Sequence, residues 1–181
     1  IFDRAAKEIG DVPIVVANDG DVSALAGSMS LGTGCVMGLA MGTSEAVGYV
    51  NAGSSLLGWF SELAFAPVDL NERAMRDEWS GDRGVGCKYF SQDAVAKLAP
   101  AAGIALSERL TPAEKLKEVQ KLAEQGLPYA QEIFRSIGVY LGHTLCLYER
   151  LYDIRSLIVL GRVASGVGGE LIVAECRRVL E

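Results

Sequence analysis

"KLAEQGLPYAQEIFRSIGVYLGHTLCLYERLYDIRSLIVLGRVA", Lys121 to Ala164, is the stretch that decides the fold. It opens in an amphipathic segment that stops at Gly126, the residue type that most readily ends a helix. Pro128 suits a first helical turn, and a long helix is predicted from it through Tyr152. "SLIVLG" follows, a short apolar run of the kind buried on both faces of a parallel sheet. "GVGGELIVAECRRVLE" then reads as a final helix. A helix that returns to a buried strand and passes into another helix belongs to an α/β protein.

Working outward, Thr111-Pro112-Ala113-Glu114 is a capping box with proline at the first helical position, and a helix starts there. "YFSQDAVAKLAPAAG", from Tyr89, reads as helix until Pro100. "CVMGLAMG" and "AVGYVN" read as two strands joined at Gly42-Thr43-Ser44-Glu45, a hairpin. "PIVVAN", Pro13 to Asn18, reads as a buried strand, and Asn18 or Asp19 can cap a following helix that carries Val22, Leu25, Ala26 and Met29. "FDRAAKEIG" reads as a helix stopped by Gly10. "NAGSSLLGWF" is a turn-rich loop, and Pro67 to Gly86 is polar with no predicted element. The sum is a mixed sheet with one hairpin and flanking helices, read as one domain over 1–181, with 1–30 a candidate inter-lobe segment.

Composition narrows the function. Half of the 181 residues are hydrophobic, as in a globular chain. The net charge of −6, with no basic cluster, argues against nucleic-acid binding by this segment. No apolar run has the length of a membrane span and no secretory signal is visible. Cys35, Cys87, Cys146 and Cys176 are scattered without a Cys-x-x-Cys pair and read as buried free thiols of a cytoplasmic protein. The chain starts at Ile1 in a helical pattern and stops at Glu181 in another, and is expected to be a piece of a larger protein.

Four constellations could carry chemistry. Asp19, at a predicted strand end, could accept a proton from a hydroxyl attacking phosphorus; it could equally be a plain helix cap. The turn at Gly42 lets backbone amides approach a phosphate, with Thr43 and Ser44 as hydroxyl donors; it could equally be a plain hairpin. Glu45 opposes the phosphate reading, because a carboxylate there repels unless it points away or meets a metal. Glu62, in "GWFSEL", could accept hydrogen bonds from a polyol or lie in an exposed loop. Gly161 closes a strand with room for a flat ligand such as adenine, or serves backbone geometry alone. His143, the one histidine, reads as structural or partner-facing.

In order and spacing these stretches resemble a ROK-family sugar kinase of the actin-like ATPase superfamily, whose large domain has a ribonuclease H-like fold. "VVANDGDVSALAG" resembles the family's strand and "ENDANAAALGE" segment. "LAMGTSEAVGYVNAGSSLLGWFSELAF" resembles its "GTGIGGG" hairpin and "GEIGH" stretch. The segment from Lys121 to Ala164 resembles the family's glycine turn, long helix and "VIVLGGG" strand. The resemblance implies ATP-dependent phosphoryl transfer to a sugar hydroxyl, with Mg2+ bridging the phosphates. Asp19 would be the general base, Asn18, Gly58 and Glu62 would bind sugar, Gly42, Thr43 and Ser44 would form a phosphate turn, and Gly161 would line the adenosine pocket.

The departures matter as well. The family's "GEIGH" is "SELAF" here, so Phe65 replaces a histidine that serves the sugar and a structural zinc. Of that zinc's cysteine cluster only Cys87 is present, and one thiolate cannot make a tetrahedral site, so no zinc is expected. The family's "GCLE" glutamate has no clean match, and Arg162 stands where relatives have glycine. The loss of such groups points to a different sugar, a sugar derivative or a weakened enzyme, and glucose is not the safe guess. The family's first phosphate loop lies in an N-terminal lobe not contained in these residues, so the segment alone is expected to lack kinase activity. The alternatives are a ROK-type sugar-sensing transcriptional regulator and a catalytically silent sugar-binding domain. The long helix is apolar all round, which leaves a face for a homodimer partner.

Overall fold

The structure, a computed structural model, describes residues 2–14, 17–57 and 62–181. Six α-helices and three strands follow in the order α1 (Phe2–Glu8), α2 (Asp19–Leu31), β1 (Val36–Met41), β2 (Glu45–Val50), α3 (Gln92–Ala101), α4 (Pro112–Glu124), α5 (Pro128–Tyr148), β3 (Ser156–Leu160) and α6 (Gly166–Leu180). The sheet order is β2-β1-β3: β1 pairs with β2 antiparallel, Met41 opposite Glu45, and with β3 parallel, Val36 opposite Ser156. The mixed α/β sheet and its hairpin are as the sequence predicts.

The two faces of the sheet are packed differently. Met37, Leu39 and Met41 of β1 and Val47 and Tyr49 of β2 join the main apolar core with Phe134, Ile137, Leu141 and Tyr148 of α5 and Ile172 of α6. A fully buried Leu, Ile or Phe contributes roughly 1.5–3 kcal/mol. The opposite face carries α2. There Gly20 lies on the backbone of Val47, Gly48 on the backbone of Gly20, and Gly38 beneath Ala24. The residues α2 buries are small: Gly20, Ala24, Gly27 and Ser28. Val22 and Met29, expected among its apolar positions, are 53% and 77% exposed. The helix sits too close to the sheet for large side chains, and they turn outward.

Other expectations are corrected too. No strand precedes α2 among the described residues: 12–14 and 17–18 are irregular, Ile14 is exposed, and Val15 and Val16 lie outside the described residues. β3 is half-buried rather than buried, because it lies at the sheet edge. α3 starts at Gln92, where Ser91 accepts a bond from the Asp93 amide, and Pro100 falls inside its last turn. α5 ends at Tyr148, four residues before Tyr152. Its all-round apolar character has an internal cause: one side enters the core, and Gly138 and Gly142 let α6 approach at Ile172 and Val179. Cys35, Cys87 and Cys176 are buried free thiols, whereas Cys146 is exposed beside exposed His143 on α5. The capping box is formed as expected, with Thr111 accepting from the Glu114 amide at 3.3 Å and Glu114 accepting from the Thr111 amide at 2.8 Å. No helix among the described residues is long and apolar enough to cross a membrane.

Candidate functional site

The site begins at the N-terminus of α2. Asn18 is the N-cap: its Oδ1 accepts from the Gly20 amide at 2.8 Å, and Asp19 Oδ1 accepts from the same amide at 3.0 Å. Asn18 holds the cap position, and Asp19, exposed in the first turn, shares that amide and also lines a cavity. The contact of Gly20 with Val47 fixes that turn against β2.

The cavity is small, about 120 Å³, and is lined by Asn18, Asp19, Glu45, Val47 and Glu62 among others. It brings together three of the expected site residues, Asn18, Asp19 and Glu62. Gly58, the fourth sugar-binding candidate, lies outside the described residues.

The phosphate and adenosine candidates meet at one edge of the sheet. β1 and β3 run parallel, so both end there, β1 in Gly42 and β3 in Gly161. Ligands of α/β sheets gather outside such strand ends. Gly161, at φ +94°, packs against the backbone of Met41. The Val163 amide donates to the Met41 carbonyl at 3.2 Å. At the hairpin tip the Gly42 amide donates to the Ser44 carbonyl at 3.0 Å, and the Gln92 amide donates to the Gly42 carbonyl at 2.9 Å. Thr43 and Ser44 are exposed, and neither hydroxyl is hydrogen-bonded among the described residues. The tip thus has donors to spare for an anion, as a nucleotide phosphate requires. Arg162 is exposed, and its carbonyl accepts from Gln120 Nε2 at 2.7 Å.

Glu45 was expected to oppose a phosphate unless it pointed away. It is 5% exposed, and neither carboxylate oxygen has a hydrogen-bond partner. The carboxylate lies against Gly86, whose lack of a Cβ leaves room for it, close to the Leu63 carbonyl. Tyr148 donates to that carbonyl at 3.3 Å. Burial pushes Glu45 well above the ordinary glutamate value of 4.5. Burial, and then the Glu45 charge, raise the Tyr148 hydroxyl. The signal for this was in the alternation of β2: Glu45 shares its face with Val47 and Tyr49, both core residues.

The segment 67–86, where the resemblance implies a zinc loop, is tied down by charge instead. Lys88, 8% exposed, places Nζ 2.7 Å from Asp93, 2.5 Å from Glu78 and 3.6 Å from Asp77. Burial alone would lower Lys88, but its bonds to Asp93 and Glu78 lift it above the ordinary lysine value. Sequence reading missed this cluster because its members are spread over Asp77 to Asp93 across a stretch with no periodicity. A second, more apolar cavity of about 370 Å³ lies between this segment, α3 and α5, with Asp69 accepting from Tyr89 at 2.7 Å and Tyr140 at 3.3 Å. It holds none of the expected site residues.

No family model and no curated protein sequence matches the chain. Solved structures do. A ROK hexokinase from Thermus thermophilus superposes with a TM-score of 0.73 at 20% identity, covering 98% of this chain and 59% of that one. The chain has the ROK fold. A ROK-family glucokinase from Streptomyces griseus, solved with glucose and AMPPNP, matches with a TM-score of 0.73 at 23% identity, over 98% of this chain and 62% of that one. A ROK-family transcriptional regulator, a homologue of the Escherichia coli MLC protein, matches with a TM-score of 0.74 at 17% identity, over 98% of this chain and 46% of the regulator. The chain thus spans about three-fifths of the length of the two kinases.

Proposed function

We propose that this chain is the larger, C-terminal-type domain of a cytoplasmic ATP-dependent sugar kinase, and that the first phosphate loop lies outside these 181 residues. The observation that carries the reading is the position of Asp19, facing a polar cavity with Asn18 and Glu62 at the end of the sheet where Gly42 and Gly161 meet. In this reading a sugar hydroxyl lies within reach of Asp19, and its carboxylate takes the hydroxyl proton as the oxygen attacks the γ-phosphorus of ATP. Asn18 and Glu62 hold neighbouring hydroxyls and fix the attack geometry. Thr43 and Ser44 hold phosphate oxygens, and the nucleoside lies outside the strand end at Gly161. Mg2+ supplies charge neutralisation on the phosphates. Positioning and charge stabilisation make up most of such catalysis, which fits a site with few reactive groups.

A second reading is a sugar-sensing regulator of the same fold, favoured by the equally good superposition on the ROK regulator. Incubating the full-length protein with Mg-ATP and a panel of hexoses, with product mass as readout, separates the two. A sugar phosphate supports the kinase. A sugar that raises the melting temperature without being phosphorylated supports the sensor.

A further inference from the structure

The cavity of about 370 Å³ between the segment 67–86, α3 and α5 shares no lining residue with the cavity of Asn18, Asp19 and Glu62. Its walls are mostly apolar. Ala94, Leu98 and Ala101 of α3 stand on one helix face at i, i+4 and i+7, and the two alanines leave space that longer side chains would fill. Met75 and Ile137 add to the wall, and the rings of Tyr89 and Tyr140 meet there at 4.7 Å. Interiors are close-packed, and a hollow of this size lies in the range that small ligands occupy. Three charged side chains line it as well. Asp69 is fully engaged: Oδ2 accepts from the Tyr89 hydroxyl at 2.7 Å and the Tyr140 hydroxyl at 3.3 Å, and Oδ1 accepts from the Asn71 amide at 2.9 Å. Burial would raise Asp69, but those bonds and the Lys97 charge hold it below the ordinary aspartate value of 3.8. Arg73 and Lys97 differ. Neither side chain has a hydrogen bond or an ion pair among the described residues. The carboxylate is complete and the two cations are not.

We propose that this cavity is a second ligand site and that it takes a small aromatic monocarboxylate, with the ring against Met75, Leu98 and Tyr140 and the carboxylate towards Arg73 and Lys97. The inference goes beyond phosphoryl transfer and does not rest on it. A ring gains from burial against the aliphatic wall, from an aromatic partner in Tyr140 and from the Met75 thioether. The planar fork of an arginine matches a carboxylate, and a lysine adds a point charge. One negative charge suits the cavity better than two, because the ionised Asp69 lies in the same wall and repels the second. A sugar suits it poorly. Its hydroxyls would face apolar walls, and the protons of both tyrosine hydroxyls are already given to Asp69.

The test is titration calorimetry of the full-length protein with phenylacetate, its neutral analogue phenylacetamide and the dianion phenyl phosphate as probes. The expected result is saturable binding of phenylacetate, with the other two weaker by about tenfold or more. Arg73→Gln and Lys97→Gln should each weaken phenylacetate by about tenfold and leave phenylacetamide unchanged. Ala101→Trp, which fills the cavity from its mouth, should abolish binding of all three. Arg73, Lys97 and Ala101 are exposed, so the variants should fold, and an unchanged melting temperature checks that they do. Phenylacetamide or phenyl phosphate binding as tightly as phenylacetate overturns the inference. So does phenylacetate binding that is indifferent to both cations or survives Ala101→Trp, and so does a failure of every probe to bind.

Discussion

Gly20 of α2 and Gly48 of β2 meet backbone to backbone: a Cβ on either would strike the main chain of the other strand or helix. The contact seats the first turn of α2 on the sheet, and Asp19 is the residue next to it. Adding one methyl group here is overpacking against atoms that cannot rotate away. Gly48→Ala should cost about 1–3 kcal/mol in urea unfolding. It should also displace Asp19, so activity should fall by more than the folded fraction does. A variant as stable as the parent would show that α2 has slack on the sheet.

Glu45→Met should stabilise the protein in the absence of ligand. The side chain it replaces buries an unpartnered carboxyl, which costs roughly 1–3 kcal/mol. The sign with pH follows from the raised folded-state value. Below the unfolded value near 4.5 the carboxyl is protonated in both states and costs least. As pH rises above that, the unfolded chain ionises first and stability is lost until the folded value is reached. The melting-temperature gap between Glu45→Met and parent should therefore be smallest in acid and widen towards neutral pH. A gap that narrows as pH rises would mean that Glu45 is ionised and satisfied when folded.

Lys88→Met should destabilise by roughly 2 kcal/mol, because it leaves Asp77, itself buried, without its cation. The effect falls short of a wholly buried pair, since Glu78 stays in water. Asp77 is held below the ordinary aspartate value of 3.8 by hydrogen bonds from Ser80 and, more weakly, by the Lys88 charge. Its contribution is present above that value and is lost as pH falls through the lowered one. Lys88→Met should thus become less distinguishable from parent in thermal melts as pH falls through that lowered value. Equal stability at neutral pH would show that the cluster is a solvated surface network.

Much of this was legible in the sequence where local rules act. The capping box at Thr111, the proline opening of α5 and the Gly42 hairpin are encoded within a few residues, and they formed as read. The cavity was legible in part: Asn18, Asp19 and Glu62 were named, but only the fold shows that 43 residues of chain bring the first two to the third. Glu45 was noticed for its charge and not for its place, although its alternation with Val47 and Tyr49 put it on the core face. The α2 face was misread because a close helix–sheet contact selects for missing side chains, and hydrophobic periodicity does not register glycine. The Lys88 cluster has no periodic signature at all.

The most direct measurement is ADP release by the full-length protein with Mg-ATP and saturating sugar, parent beside Asp19→Asn. A carboxylate that takes the hydroxyl proton contributes on the order of 100- to 10,000-fold. The account predicts a fall in kcat of that size in the variant, with the sugar KM little changed and the melting temperature close to that of the parent. Sugar-dependent turnover that survives in Asp19→Asn would contradict it.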